Sequence, residues 1–328
     1  MKNNKYIKVL TIAMLFSLFG VSVQAAGPYK RAGTSASAFL KLGTGAPEAQ
    51  AMGNAYTALS SGAQALFWNP AGIATSTTRE FQVSHMQWYE GVGDSAVGYV
   101  QPIGKTVLGV SLRYLRLSGD KLDARDWEGI PFDLTGDAIK DFVGTVSLAR
   151  TFFGVLDIGG TAKYINEDNV GTKHINPAFD VGGKLRISNN KFVIGVMGQN
   201  LGDTEEVPSA IRGGAAINTK YFTISGEVVD YVDDKVRYGV GLAIHIPEDL
   251  VQVASFDIRV GYYNRENTGW AEDGDLAERI GLETTSKVTL GFGFYSSEVL
   301  GYGLGLDYAM MPSGALGTAH QLAVRLQF

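Results

Sequence analysis

The stretch Val236-Arg-Tyr-Gly-Val-Gly-Leu-Ala-Ile-His-Ile246 decides the fold. Val236, Tyr238, Val240, Leu242, Ile244 and Ile246 share one parity, and Arg237, Gly239, Gly241, Ala243 and His245 share the other. A period of two belongs to an extended strand, whose successive side chains point to opposite faces. One face here is apolar and the other is small or polar. The alternation recurs at Leu108, Val110, Leu112 and Tyr114 against Gly109, Ser111 and Arg113, and at Phe256, Ile258, Val260 and Tyr262 against Ser255, Asp257, Arg259 and Gly261. It returns at Val288, Leu290, Phe292 and Phe294, and at Tyr302, Leu304, Leu306 and Tyr308. Such a strand suits a soluble sandwich as well as a barrel that faces lipid. The residues opposite separate the two. They include Gly291, Gly293, Gly301, Gly303, Gly305 and Asp307, where a solvated face would carry Lys, Glu and Thr. Small residues suit a barrel interior filled by a plug. The glycines from Gly301 onward lie within a strand and open no helix, which sets aside a dinucleotide-binding loop.

Composition agrees with this reading. Of 328 residues 42 are glycine and none is cysteine; glycine is thus nearly twice its usual ~7 %. Absence of cysteine removes disulfide scaffolds, thiolate metal sites and thiol catalysis. A net charge of −5 gives no basic footprint for nucleic acid. At the start of the chain Lys2, Lys5 and Lys8 precede an apolar run from Val9 to Val23. With Val23 and Ala25 at small-residue positions, residues 1–25 read as a signal peptide cleaved after Ala25. Its loss removes three lysines and makes the mature chain more acidic. Beyond it no stretch approaches the ~18 to 20 apolar residues of a transmembrane helix.

Fourteen alternating segments follow, at 79–89, 94–101, 106–117, 137–151, 155–166, 174–187, 191–201, 207–217, 221–230, 235–246, 250–264, 285–295, 300–310 and 317–328. Every second connection is short, as at 102–105, 152–154, 188–190, 218–220, 247–249 and 296–299, whereas the interleaved set contains the long ones, 118–136 and 265–284. Loops sorted by parity and an even strand count are the marks of an outer-membrane barrel with short periplasmic turns. The last strand places Leu322, Val324, Leu326 and the terminal Phe328 against Gln321, Ala323, Arg325 and Gln327. The terminal aromatic Phe328 is read as a barrel-assembly signal, with the assembly machinery and outer-membrane lipid as implied partners. The predicted fold is all-β, a transmembrane antiparallel barrel of about fourteen strands over 79–328.

Residues 26–78 do not alternate. Ala49, Met52, Ala55 and Tyr56 have helical spacing interrupted by Gly53, and Phe67-Trp-Asn-Pro-Ala-Gly72 holds a proline turn before the first strand. A segment of small side chains ahead of a barrel suits a hatch inside it. The chain resembles the PorV/PorQ-like branch of the FadL-like outer-membrane barrels. That resemblance rests on Ala38-Phe-Leu-Lys-Leu-Gly43, Ala51-Met-Gly-Asn-Ala-Tyr-Thr-Ala-Leu59, the Phe67–Gly72 segment, Leu306-Asp-Tyr-Ala309 and the stretch from Gly317 to Phe328. It implies a fourteen-stranded barrel with an N-terminal hatch. Two departures touch the hatch: Ala46-Pro47-Glu48 replaces an Ala-Arg-Ala step, and Ser60, Ser61 and Gly62 replace acidic residues.

The chemistry-bearing residues point to binding or passage rather than catalysis. The four histidines, His85, His174, His245 and His320, come with no hydrolase, zinc-protease or nucleotide-binding motif. Glu272, Asp273 and Asp275 lack the spacing of a calcium loop. No cofactor or metal is expected. Arg113, Arg237, Asp257, Arg259 and Asp307 share inward parity and are expected to form a lumen salt network that holds the hatch. Asn69, Pro70, Ala71 and Gly72 form the candidate hatch motif. Phe39, Leu40, Leu42, Phe67 and Trp68 form a candidate apolar cluster for ligand contact. The resemblance implies two functions: binding of cargo or partner proteins in type IX secretion, which is the closer match, or uptake of hydrophobic small molecules such as long-chain fatty acids.

Overall fold

A computed structural model describes residues 37–88, 91–119, 136–203, 205–234, 236–251, 254–264, 288–299, 301–312 and 317–328. The expected signal peptide over 1–25, residues 26–36 and the acidic stretch with Glu272, Asp273 and Asp275 lie outside the described residues.

The strands run β1 (Glu80–Gln87), β2 (Gly93–Ile103), β3 (Thr106–Ser118), β4 (Asp137–Phe152), β5 (Leu156–Asn169), β6 (Thr172–Ile187) and β7 (Phe192–Leu201). They continue as β8 (Ala210–Asn218), β9 (Phe222–Tyr231), β10 (Arg237–Ile246), β11 (Ser255–Tyr263), β12 (Val288–Val299), β13 (Tyr302–Pro312) and β14 (Thr318–Gln327). Each pairs antiparallel with its sequence neighbours, and β14 pairs with β1, so the sheet closes on itself. The seam ends where Arg79 and Phe328 exchange backbone hydrogen bonds of 3.1 and 3.0 Å. Closure removes the unpaired edge that a membrane core would not tolerate.

Alternation translates directly into two surfaces. On β10 Leu242 is 39 % exposed and Ala243 only 3 %. Val110, Leu112, Val146, Leu148, Ile194, Ile224, Val240, Ile258, Phe292 and Val324 are likewise exposed around the outside. An exposed apolar surface encircling a closed barrel is the lipid belt of a transmembrane barrel. Phe328 lies on this surface, its ring edge-on to Tyr302 at 6.5 Å.

Inside the ring sits the segment Ser37 to Thr75. It contains 3-10 turns at Ala38–Lys41, Gly62–Phe67 and Pro70–Thr75 and one short α-helix, Pro47–Ala51. Proline starts that helix, and Gly53, at φ 62°, turns the chain away after it. The inward glycines of the wall make room for this segment. A Cβ on Gly241 would come within 2.6 Å of the Met52 carbonyl oxygen, and one on Gly291 within 2.5 Å of the Ala51 side chain.

Three details differ from the sequence reading. The strand expected to begin at residue 250 begins at Ser255, because Glu248–Val251 forms a helical turn; Pro247 with Glu248 and Asp249 behind it is a helix-start pattern. Gly301 belongs to no lumen stripe: it turns at φ 81° in open space, while Gly293 and Gly305 make room for the side chains of Arg259 and Arg325. Finally, β5 and β6 are joined by only Val170 and Gly171, so a short connection also occurs on the rim that carries the long loops.

Candidate functional site

The motif Asn69-Pro70-Ala71-Gly72 pins the hatch to itself and to the wall. Asn69 is fully buried. Its Oδ1 accepts the Ala71 N–H at 3.1 Å, and its Nδ2 donates to the Thr57 carbonyl at 2.9 Å. The Asn69 carbonyl accepts the Gly72 N–H at 2.9 Å, and Pro70 fills the first helical position, where no N–H is needed. Against this turn the wall supplies Gly159 and Gly182: a Cβ on Gly159 would meet the Pro70 carbonyl carbon at 2.5 Å, and one on Gly182 would collide with Asn69 Oδ1. Gly72 has no room either, since a Cβ there would meet the Ala65 side chain at 2.7 Å.

Because the hatch has little regular structure, its backbone donors need partners elsewhere. Wall carboxylates provide them. Glu167 on β5 accepts the Ser37 N–H and hydroxyl at 2.9 and 2.6 Å. Glu227 on β9 accepts the N–H groups of Tyr56 and Thr57 at 2.9 and 2.7 Å, and Glu80 on β1 accepts the Ala63 N–H at 2.6 Å. In the opposite sense, Lys184 on β6 donates to the Ser60 carbonyl at 2.5 Å. Tyr56 completes the lacing by donating to Glu48 at 3.0 Å; burial, then the Glu48 charge, pushes its phenol well above the usual 10. It therefore stays a neutral donor.

The five predicted lumen charges separate into three places. Asp257, Arg259 and Asp307 do come together: Arg259 donates to Asp307 at 2.6 Å and to Asp257 at 2.8 Å, while Asp307 also receives Arg325 at 2.8 Å and the hatch residue Gln64 at 2.9 Å. Arg113 stands apart, paired with Asp94 at 2.5 Å and donating to the Phe39 carbonyl at 2.9 Å. Arg237 joins neither; at the long-loop end of β10 it pairs with Asp234, beside Lys41 and Asp233 at 2.8 Å. A single network is thus corrected to separate anchors, because charges of one parity on distant strands lie at different heights. Asp94, Glu167, Arg212, Glu227 and Arg325 were not singled out. Parity alone marks them as inward, as it does Arg325 opposite Val324 and Leu326, but hatch contact is invisible to it.

The candidate apolar cluster is also divided. Trp68 packs edge-on to Tyr56 at 6.2 Å with the Arg212 guanidinium 4.6 Å above its ring, Phe67 lies with Leu66 and Ile73, and Phe39 and Leu40 pack with Leu115 and Ile165. Leu40, Leu42, Phe67 and Trp68 nonetheless line one luminal cavity with Arg113, Lys163 and Arg212. Phe39 does not reach it and lies 5.2 Å below the Arg113 guanidinium. The cavity leaves about 40 Å³ for the centres of water-sized spheres, room for a few waters at ~10–15 Å³ each.

Across the wall from this cavity, on the lipid side, an apolar groove runs between Val97, Val110, Leu112, Phe142, Val146 and Tyr164. Its floor lies at Gly144. Ser111, Thr145 and Lys163 line both the groove and the luminal cavity. Lys163 is held there by Asp180 at 2.7 Å and Asn200 at 2.8 Å.

The histidines form no recognised catalytic centre. His320 faces outward and bonds Tyr308 at 2.7 Å, and His85 also faces outward, bonding Ser95 at 2.9 Å. The luminal histidine is His245, between Asp257 at 2.7 Å and Thr223 at 2.9 Å. This chain copies the order of an acid–base–nucleophile triad, yet no cavity opens beside it among the pockets described. No group of three or more His, Asp or Glu side chains among the described residues is placed to hold a metal.

Comparison with known proteins places the architecture. Over 86 % of this chain and 96 % of the other, the barrel is similar to the Pseudomonas putida toluene transporter TodX, with a TM-score of 0.54 and 10 % identity. The fold is shared. A TodX monoaromatic hydrocarbon channel variant gives a TM-score of 0.57 at 10 % identity, covering 86 % of this chain and 97 % of the other. The Ralstonia pickettii toluene transporter TbuX gives 0.53 at 11 %, with 86 % and 97 % covered. A model for an uncharacterised protein family (UPF0164) matches residues 20–174. No curated protein sequence matches the chain significantly.

Proposed function

We propose that this barrel is an outer-membrane channel for hydrophobic small molecules, closed at rest by its hatch. The observation that carries the reading is the pairing of a luminal cavity with an apolar lipid-side groove at Ser111, Thr145 and Lys163. A hydrophobic solute partitions into apolar surroundings. A route between lumen and lipid at this point would spare it an aqueous exit. Outward Gly144 keeps the wall thin there: a Cβ would sit 3.4 Å from the Phe142 ring and 3.8 Å from Leu112, on the lipid side. The fold shared with TodX and TbuX, both described as toluene transporters, supports the same reading. The secretion role implied by the resemblance to the PorV/PorQ branch rests on that resemblance alone.

The test is accumulation of radiolabelled toluene, and separately of oleate, by cells that lack other channels of this fold. Expression of the protein should raise the initial uptake rate of one probe. Gly144→Phe, which fills the groove from the lipid side, should lower that rate without changing heat-modifiable migration. Uptake of both probes equal to that of empty cells would sink the proposal.

A further inference from the structure

The rim carrying the short turns has a feature that the passage of solutes does not use. At three turns a cation sits beside an aromatic ring at the strand end: Arg150 at 5.4 Å from Phe152, Lys191 at 5.9 Å from Phe192 and Lys220 at 5.5 Å from Tyr221. Two of these turns are built into one groove, lined by Asn189, Asn190, Lys191, Asn218, Thr219 and Lys220. The groove is a fixed structure. Asn218 donates from its side chain to the Asn190 carbonyl at 2.9 Å and from its backbone to the Lys191 carbonyl at 2.8 Å. Ser188, Asn189 and Asn190 all hold left-handed backbone, at φ 52°, 55° and 66°, a conformation that costs free energy in residues other than glycine.

We infer that this groove binds the phosphate of an anionic glycerophospholipid in the adjacent leaflet. Charge and height both argue for it. Lys191 forms no ion pair among the described residues, and Lys220 shares its charge with the exposed Asp249 at 2.7 Å. Immediately below the two ammonium groups, towards the membrane core, lie exposed Phe192, Ile194, Ile217, Phe222 and Ile224. In the register of β7, β8 and β9, Phe192 faces Ile217 and Ile217 faces Ile224. Acyl chains would lie along these side chains while the headgroup meets the lysines and the asparagine amides. Short turns of outer-membrane barrels face the periplasmic leaflet, so a phospholipid is the occupant within reach.

Native mass spectrometry of the detergent-purified barrel, titrated with dioleoyl phosphatidylglycerol, tests the inference. The parent should hold a phosphatidylglycerol adduct that persists in excess inorganic phosphate and should bind dioleoyl phosphatidylcholine less well. The double variant K191Q/K220Q should bind phosphatidylglycerol roughly tenfold more weakly, since each lysine near an anionic headgroup adds to the attraction. A charge-matched double variant on the other rim, K140Q/K173Q, should bind as the parent does. Heat-modifiable migration verifies folding, and the single variants K191Q and K220Q stand in if the double variant fails to fold. Equal weakening by both double variants, equal binding of the two lipids, or displacement by inorganic phosphate would overturn the assignment.

Discussion

Replacing Gly261 by alanine should unseat the hatch. Gly261 on β11 faces the lumen where the hatch turns at Gly53, and an added Cβ would lie 2.5 Å from the Met52 carbonyl carbon and 2.6 Å from Gly53 Cα. Unbonded carbons rest at ~3.5–4.0 Å, so the hatch must retreat by about 1 Å. Every atom in the way is backbone, and Gly239 and Gly241 hold the same turn from the next strand, so no side chain can swing aside. Overpacking of this kind costs ~1–3 kcal/mol. If that cost falls on the seated hatch alone, the unseated population rises ~5- to 150-fold, at tenfold per ~1.4 kcal/mol. Gly213→Ala is the control: it lies on the outer face with nothing within 4 Å of the new Cβ, and it should be neutral. Planar-bilayer recordings should show more frequent openings for Gly261→Ala, and limited proteolysis should cut faster between residues 45 and 75. If Gly261→Ala is as silent and as protected as Gly213→Ala, then the glycine stripe is not what seats the hatch.

Three further outcomes follow from the same geometry. Leu242→Arg places a charge on the lipid face at ~2–4 kcal/mol near the midplane and should cut the yield of folded barrel, whereas Ala243→Ser should be mild; folded and unfolded gel bands report both. Asn69→Ala combined with Pro70→Ala removes a cap and relaxes a turn, loosening the hatch by ~1–2 kcal/mol, with faster proteolysis near residues 60–75 and an unchanged yield of barrel. Asp307→Asn leaves Arg259 and Arg325 without their shared carboxylate and should lower barrel stability by ~3–5 kcal/mol, read as a fall in the temperature at which the folded gel band is lost. Replacing Asp249, an exposed partner of Lys220, should by contrast change that temperature little.

The barrel was legible because strand alternation is a local property imposed by two different environments, lipid outside and a crowded interior. Leu242 and Ala243 carry that information in adjacent letters. Sequence places the start of β11 too early because Leu250 shares the parity of Phe256 and Ile258, although it lies in a helical turn that Pro247, Glu248 and Asp249 initiate. The interior was harder to read. Parity places Arg113, Arg237 and Arg259 on one face, but only strand stagger and tilt decide which charges meet, and these are properties of the closed ring. Glu227 illustrates the limit: it captures two hatch N–H groups about 170 residues earlier in the chain, the separations being 171 and 170, and no spacing in the sequence announces such a pair.

Those carboxylate clamps also dictate an order of assembly. Glu80, Glu167 and Glu227 sit on β1, β5 and β9, well apart around the ring, yet each holds backbone of the same hatch. Before the ring closes, the three cannot converge on one axis. A segment with a single five-residue α-helix has too little structure of its own to wait for them as a folded object. The hatch, made before the wall, is therefore the last to take shape, and the wall serves as the mould in which it sets.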